Sequence, residues 1–177
     1  MKSLLKYFFI IILFFTVLIV FFPKEQLFNY AVNKLYNQKI YLTNYKYQDN
    51  LTNINIQNTN IIFESINMAH IDNIDAKLFV VYNNIDINNI SIDESLNSFV
   101  PSTIKNININ YNILKPLFIY SNVNSKIYSV KITFDILNMK LKAIFKTSKF
   151  FRKKYPKLLR ELKYDKNIKD YTYEYKL

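Results

Sequence analysis

The chain of 177 residues has no glycine, no cysteine and no tryptophan, a single histidine, and arginine only at Arg152 and Arg160. Each shortage excludes something. The phosphate-cradling loops of P-loop and dinucleotide-binding enzymes need backbone without a Cβ at fixed positions, so both classes are excluded. Without cysteine there is no disulfide, thiol nucleophile or thiolate-held zinc, and cysteine usage carries no information on redox compartment. One histidine, His70, excludes a histidine cluster for metal. No cofactor is expected. Tight turns fall to Asn and Asp, the next residues to tolerate left-handed backbone.

What is present is equally lopsided. Ile, Asn, Lys, Tyr and Phe crowd the sequence, the usage of an A/T-rich genome. Net charge is +11 but unevenly placed. Residues 44–100 hold two Lys against seven Asp or Glu, net −5, whereas residues 140–177 hold thirteen Lys or Arg against four acids, net +9. A field of that kind suits an anionic membrane surface, nucleic acid or an acidic partner.

From Tyr7 to Phe22 run sixteen residues, YFFIIILFFTVLIVFF, interrupted only by Thr16. As a helix this run is roughly 24 Å long, and with Leu4, Leu5 and a snorkelling Lys6 it approaches the roughly 30 Å hydrocarbon core. A secretory signal peptide would end in small residues before its cleavage site. Here the exit is Val20, Phe21, Phe22, Pro23. The reading is an uncleaved transmembrane anchor over residues 1–22. Charge does not orient it, because Lys2, Lys6 and the α-amine on one side nearly balance Lys24, Lys34 and Lys39 on the other.

Residues 23–38 have helical spacing, with Leu27, Ala31 and Leu35 beside Phe28 and Val32, and Pro23 suits a helix start. This amphipathic helix either packs under the sheet that follows or lies on lipid. Over 39–147 the period changes to two: Ile54/Ile56, Ile85/Ile87, Ile90/Ile92 and Ile107/Ile109 alternate with polar residues between Asn-rich breaks. "NINIQNTNI", "NIDINNISI" and "NININYNI" look like weak copies of one unit, too irregularly spaced for a strict solenoid. Breaks fall at 98–102 and at Lys115-Pro116, and short connections make sequential strands antiparallel. Residues 148–177 read as a basic amphipathic helix, with Phe151, Tyr155, Leu158 and Leu162 on one face and Pro156 kinking it or starting its second half, then a short strand, "YTYEY". The expected class is mainly β with flanking helices: a membrane helix, then a curved antiparallel sheet, open as a groove or folded as a sandwich, then a C-terminal amphipathic helix.

No catalytic constellation emerges, and an enzyme is not expected. His70 has no serine elbow near it and reads as a surface or groove-edge strand residue. Asp93-Glu94 follows a strand and reads as a loop or cap. "NLT" at Asn50 and "NIS" at Asn89 fit the glycosylation acceptor pattern, which arises by chance in an Asn-rich chain. Two binding surfaces remain. Ile54, Ile56, Ile85, Ile87, Ile107 and Ile109 would line an apolar groove for lipid or a partner. Lys153, Lys154, Lys157, Arg160 and Lys163 would meet anionic lipid or an acidic partner, or form a solvated face. Nucleic acid is not expected beside a membrane anchor.

The order of these features resembles a family, the short bacterial type II secretion system protein N-like proteins, related to the AsmA-like group. The resemblance rests on the anchor running into "FPKEQLFNYAVNKLY", the Ile/Asn strands, "SFVPSTIKNININYNILKP", and "KFFRKKYPKLLRELK" before "YTYEY". It implies a single-pass protein of the bacterial inner membrane with its β-rich domain in the periplasm, a non-enzymatic component of secretion or envelope biogenesis with secretion-machinery proteins as partners. The AsmA-like relatives imply the alternative, a lipid-handling module with acyl chains in an apolar groove. Better-known members carry glycines among their later strands, and this chain has none.

Overall fold

The computed structural model describes residues 2–79, 81–97 and 99–177, with the backbone alone for residues 2–4 and 19. Lys2, Leu4 and Ile19 of the predicted anchor thus have no described side chain, and Met1 and Ser98 of the predicted break lie outside the described residues.

The first helix, α1 (Lys2–Val20), is apolar all round, as its composition dictates. The Thr16 hydroxyl, within its apolar run, donates to the Ile12 carbonyl one turn back at 2.9 Å. The described side chains of α1 are exposed, apart from a half-buried Leu18. Among the described residues no helix is long and apolar enough to cross a membrane.

Pro23 caps α2 (Lys24–Asn37), where its missing N–H leaves no bond unmade. The inward stripe is narrower than the spacing predicts. Phe28, Val32 and Leu35 are half-buried, whereas Leu27 and Ala31 are exposed. Phe28 sets that rotation: its ring stacks on Tyr47 at 5.0 Å and meets Tyr45 edge-on at 5.7 Å.

Eleven strands then form one antiparallel sheet: β1 (Ile40–Thr43), β2 (Lys46–Asp49), β3 (Ile54–Phe63), β4 (Ile66–Leu78), β5 (Tyr82–Ile92), β6 (Thr103–Asn112), β7 (Phe118–Asn124), β8 (Tyr128–Asp135), β9 (Lys140–Thr147), β10 (Lys163–Asp165) and β11 (Asp170–Lys176). The order is β1-β3-β4-β5-β6-β7-β8-β9-β11-β10, with β2 beside β3 below β1. The sheet is open and does not fold into a sandwich. It also runs on past residue 147, because β11 pairs with β9. The three Ile/Asn copies fall in β3, β5 and β6, and β6 runs antiparallel to β5.

One row crosses the sheet out of phase. Gln57 pairs with Asn73 and Thr59 with Ile71, Asn73 with Asn88 and Ile71 with Ile90, Asn88 with Asn106 and Ile90 with Ile104, and the positions between these pairs are unpaired. Two of those positions, Asn58 and Asn89, have left-handed backbone. The apolar phase shifts there in every strand, from Ile56 to Thr59, Ile74 to Ile71, Ile87 to Ile90 and Ile107 to Ile104. Asparagine thus takes left-handed backbone in mid-strand with the register kept, whereas the register shift between β3 and β4 falls between Ile61 and Ile62. Among the turns of the described residues only Asn44 is a left-handed asparagine; Lys39, Glu64, Ser65, Met139 and Lys169 take the other left-handed positions. That departs from the turn chemistry predicted, and it is the consequence of a chain without glycine.

The basic helix is two short ones, α3 (Lys149–Lys154) and α4 (Pro156–Arg160). Pro156 has no N–H to continue α3 and instead opens α4 at its first position. Ser148 caps α3, its hydroxyl accepting from the Phe151 N–H at 3.1 Å. Phe151 is wholly buried and Tyr155 nearly so, while Leu158 and Leu162 are half-buried.

Candidate ligand-binding face

Strand alternation places all six predicted groove isoleucines on one face, in two adjacent rows. Ile54, Ala76, Ile85 and Ile109 are successive cross-strand neighbours, and Ile56, Ile74, Ile87 and Ile107 form the row beside them. Both rows continue across the sheet, the second through Val123, Val130 and Phe145. Ile54 and Ile56 are buried; Ile85, Ile87, Ile107 and Ile109 are half-buried. From Ile74 to Val130 the row is purely aliphatic over five strands, about 19 Å at the usual strand spacing.

Among the described residues α2 and α3 pack on this face at its two sides. Phe28 of α2 packs on the cluster of Ile54, Ile56 and Ala76. It is held by Lys24, a buried lysine at the head of α2 whose ammonium bonds the Asn50 and Leu51 carbonyls at 2.7 and 3.1 Å and the Asp49 carboxylate at 2.9 Å. On the other side, Phe151 of α3 contacts Tyr128 at 5.0 Å and Tyr155 at 5.1 Å between ring centres. Tyr128 shares the face of Val130, two residues on. Its burial, with the Tyr155 hydroxyl as second cause, pushes its phenol up to about 12.

The opposite face is paved with amides. Asn55 donates to Asn73 at 2.7 Å, Asn84 to Asn110 at 2.8 Å and Asn106 to Asn88 at 2.9 Å. Asp75 and Asp86 stand directly opposite each other, where like charges repel. Asn53 donates to Asp75 at 2.5 Å and Asn108 to Asp86 at 2.6 Å. Two of the seven acids in the middle of the sequence are therefore hydrogen-bonded into this face.

The predicted basic residues do not share one helix. Lys153 and Lys154 end α3, Lys157 and Arg160 lie in α4, and Lys163 begins β10. All five are exposed. Among the described residues none of them makes an ion pair. Lys154 instead lies 5.4 Å from the Tyr155 ring and Lys157 6.0 Å from that of Phe99.

His70 is half-buried in β4, bonded to Asn60 Oδ1 at 2.6 Å and 3.5 Å from Asp72. It lines an open cavity of about 300 Å³ with Asn60, Ser91, Asp93 and Glu94. The Ser95 N–H and hydroxyl hold the Asp93 carboxyl below its usual range. Among the described residues no group of three or more His, Asp or Glu is placed to hold a metal. Sequence reasoning missed Lys24, whose partners lie 26 and 27 residues away, and Tyr128, which had no signal beyond being aromatic.

Compared with models of protein families, with curated proteins and with solved structures, the chain matches none of them.

Proposed function

We propose that this chain is a non-enzymatic, membrane-anchored binding module, and that the aliphatic row between α2 and α3 takes acyl chains. The observation that carries this reading is the open sheet, whose apolar face has α2 packed at one side and α3 at the other and leaves Ile87, Ile107 and Val123 only half-buried between them. That strip offers no hydrogen-bonding side chain, and the aliphatic row that runs through it, about 19 Å long, is comparable with an extended acyl chain. The anchor is α1. Its support is a strongly apolar composition with the Thr16 hydroxyl satisfied internally, a pattern that belongs in a protein core or in lipid. The resemblance to the secretion protein N-like and AsmA-like proteins points to an inner-membrane protein with a periplasmic domain, and is an expectation still to be tested.

A second reading, a scaffold component of a secretion machine, draws on the five exposed basic residues of α3, α4 and β10, which suit an acidic protein. Native mass spectrometry of the full chain extracted in mild detergent separates the two. Lipid adducts that disappear in Ile87→Asp and Ile107→Asp support the first. Lipid-free protein, unchanged in function by either substitution, overturns it.

A further inference from the structure

The two ends of the sheet differ in a way that no strand pattern requires. At one end lie the β2–β3 turn with Leu51, the β4–β5 turn with Val81, the β6–β7 turn with Ile113 and Leu114, and the β8–β9 turn with Leu137 and Met139. Backbone bonds tie the last three of these turns and Leu177 into one rim: Ile113 N–H donates to Val81, Ile136 N–H to Leu117 and Leu177 N–H to Met139, at 2.9 to 3.0 Å. Leu114 is 84% exposed and Leu137 72%. Turns ordinarily carry polar residues, and at the other end they do: Glu64-Ser65, Asp93-Glu94-Ser95, Ser125-Lys126 and Lys166-Asn167. The apolar residues exposed there are Phe63, Ile66, Phe99 and Ile168, and Lys157 lies 6.0 Å from the Phe99 ring.

The exit of α1 is fixed at the apolar end. Lys24, three residues beyond Phe21, is clamped to the β2–β3 turn by two carbonyls and Asp49. Three carboxylates near the rim are engaged, Asp135 by Asn138, Glu174 by Lys140 at 2.7 Å and Lys142 at 3.4 Å, and Asp49 by Lys24, while Glu25 beside Lys24 is exposed. Lys115 and Lys176 stand among the rim residues as exposed cations.

We infer that this rim docks end-on into the interfacial layer of the phospholipid bilayer that holds α1, with Lys115 and Lys176 at the level of anionic headgroups. The inference rests on the reading of α1 as an anchor. It places the sheet upright on the membrane, with the aliphatic strip opening close to the lipid that would enter it.

Because the chain has no cysteine, one introduced thiol gives one label site. The full chain would be reconstituted in phosphatidylcholine–phosphatidylglycerol vesicles as Phe14→Cys, Leu114→Cys, Leu137→Cys and Asn167→Cys, each carrying an environment-sensitive fluorophore. All four positions are exposed, and circular dichroism checks that each variant folds. The expected result is blue-shifted emission quenched by lipids brominated on their acyl chains at residues 14, 114 and 137, with residue 167 unquenched. Quenching at 14 alone overturns the rim and leaves the anchor standing. No quenching at any site overturns both. Equal quenching at 114, 137 and 167 overturns end-on docking in favour of a sheet lying flat.

Discussion

α2 and α3 lie over the same apolar face but are held there by opposite chemistry. α2 is fastened by a buried ammonium and one stacked ring pair, α3 by Phe151 between Tyr128 and Tyr155. The aromatic cover contributes mainly burial and ring packing, which are non-directional and large in sum. The lysine clamp contributes direction: it decides where α2 begins and hence where α1 leaves the domain. One cover stabilises and the other positions, and the strip between them is where the proposed acyl chains would lie.

Phe151→Ala tests the aromatic cover most severely. It is expected to cost about 3 to 5 kcal/mol, the usual range for a fully buried phenylalanine, read as a lower urea midpoint. A loss under about 1 kcal/mol, as for a surface substitution, would mean that α3 is not seated as described. Lys24→Met acts on the other cover. It removes the ion pair and leaves two carbonyls without their donor, for an expected loss of about 1 to 3 kcal/mol. It should also raise hydrogen exchange in the first turn of α2 while sparing α3. Equal deprotection of both helices would contradict the division of roles.

Ser148→Ala removes the only side-chain cap on these two helices, since Pro23 offers none to α2. The expected loss is about 1 kcal/mol. The last effect is absent at neutral pH. Tyr128 is raised from its ordinary value near 10 to about 12, so the folded state holds that proton more tightly than the unfolded state does. The stability tied to it is complete below pH 10 and is lost as pH rises through about 12. In alkaline unfolding curves Tyr128→Phe should lose stability less steeply than the native chain. Parallel curves would remove Tyr128 from the account.

Much of the sheet was legible because strand alternation is local. Ile54/Ile56, Ile85/Ile87 and Ile107/Ile109 announced their strands, and two-residue spacing on neighbouring strands suffices to bring them into rows. Asn58 and Asn89 hid the phase slip, because an asparagine in a polar position looks like any other until its backbone turns left-handed. The turn at Glu64-Ser65 was illegible for the converse reason: nothing in those residues prefers positive φ, and the strand pairing on both sides imposes it. The orientation of α2 depended on Phe28 meeting Tyr47 and on Lys24 meeting the β2–β3 turn, contacts that periodicity within the helix does not encode. Open sheet against sandwich was likewise a question about pairing order. The apolar turns were visible as a break in the rule that turns are polar, but only the topology puts them at one end.

The central claim is that the strip between the two covers takes acyl chains. It is tested most directly by irradiating the full chain in vesicles with a phospholipid carrying a photoactivatable group near the end of one acyl chain, then mapping the adducts by mass spectrometry. The account predicts adducts on β5, β6 and β7 at Ile87, Ile107 and Val123, in addition to those on α1, and their loss in Ile107→Asp. Adducts confined to α1 and the apolar turns, with β5 to β7 unlabelled, would contradict it.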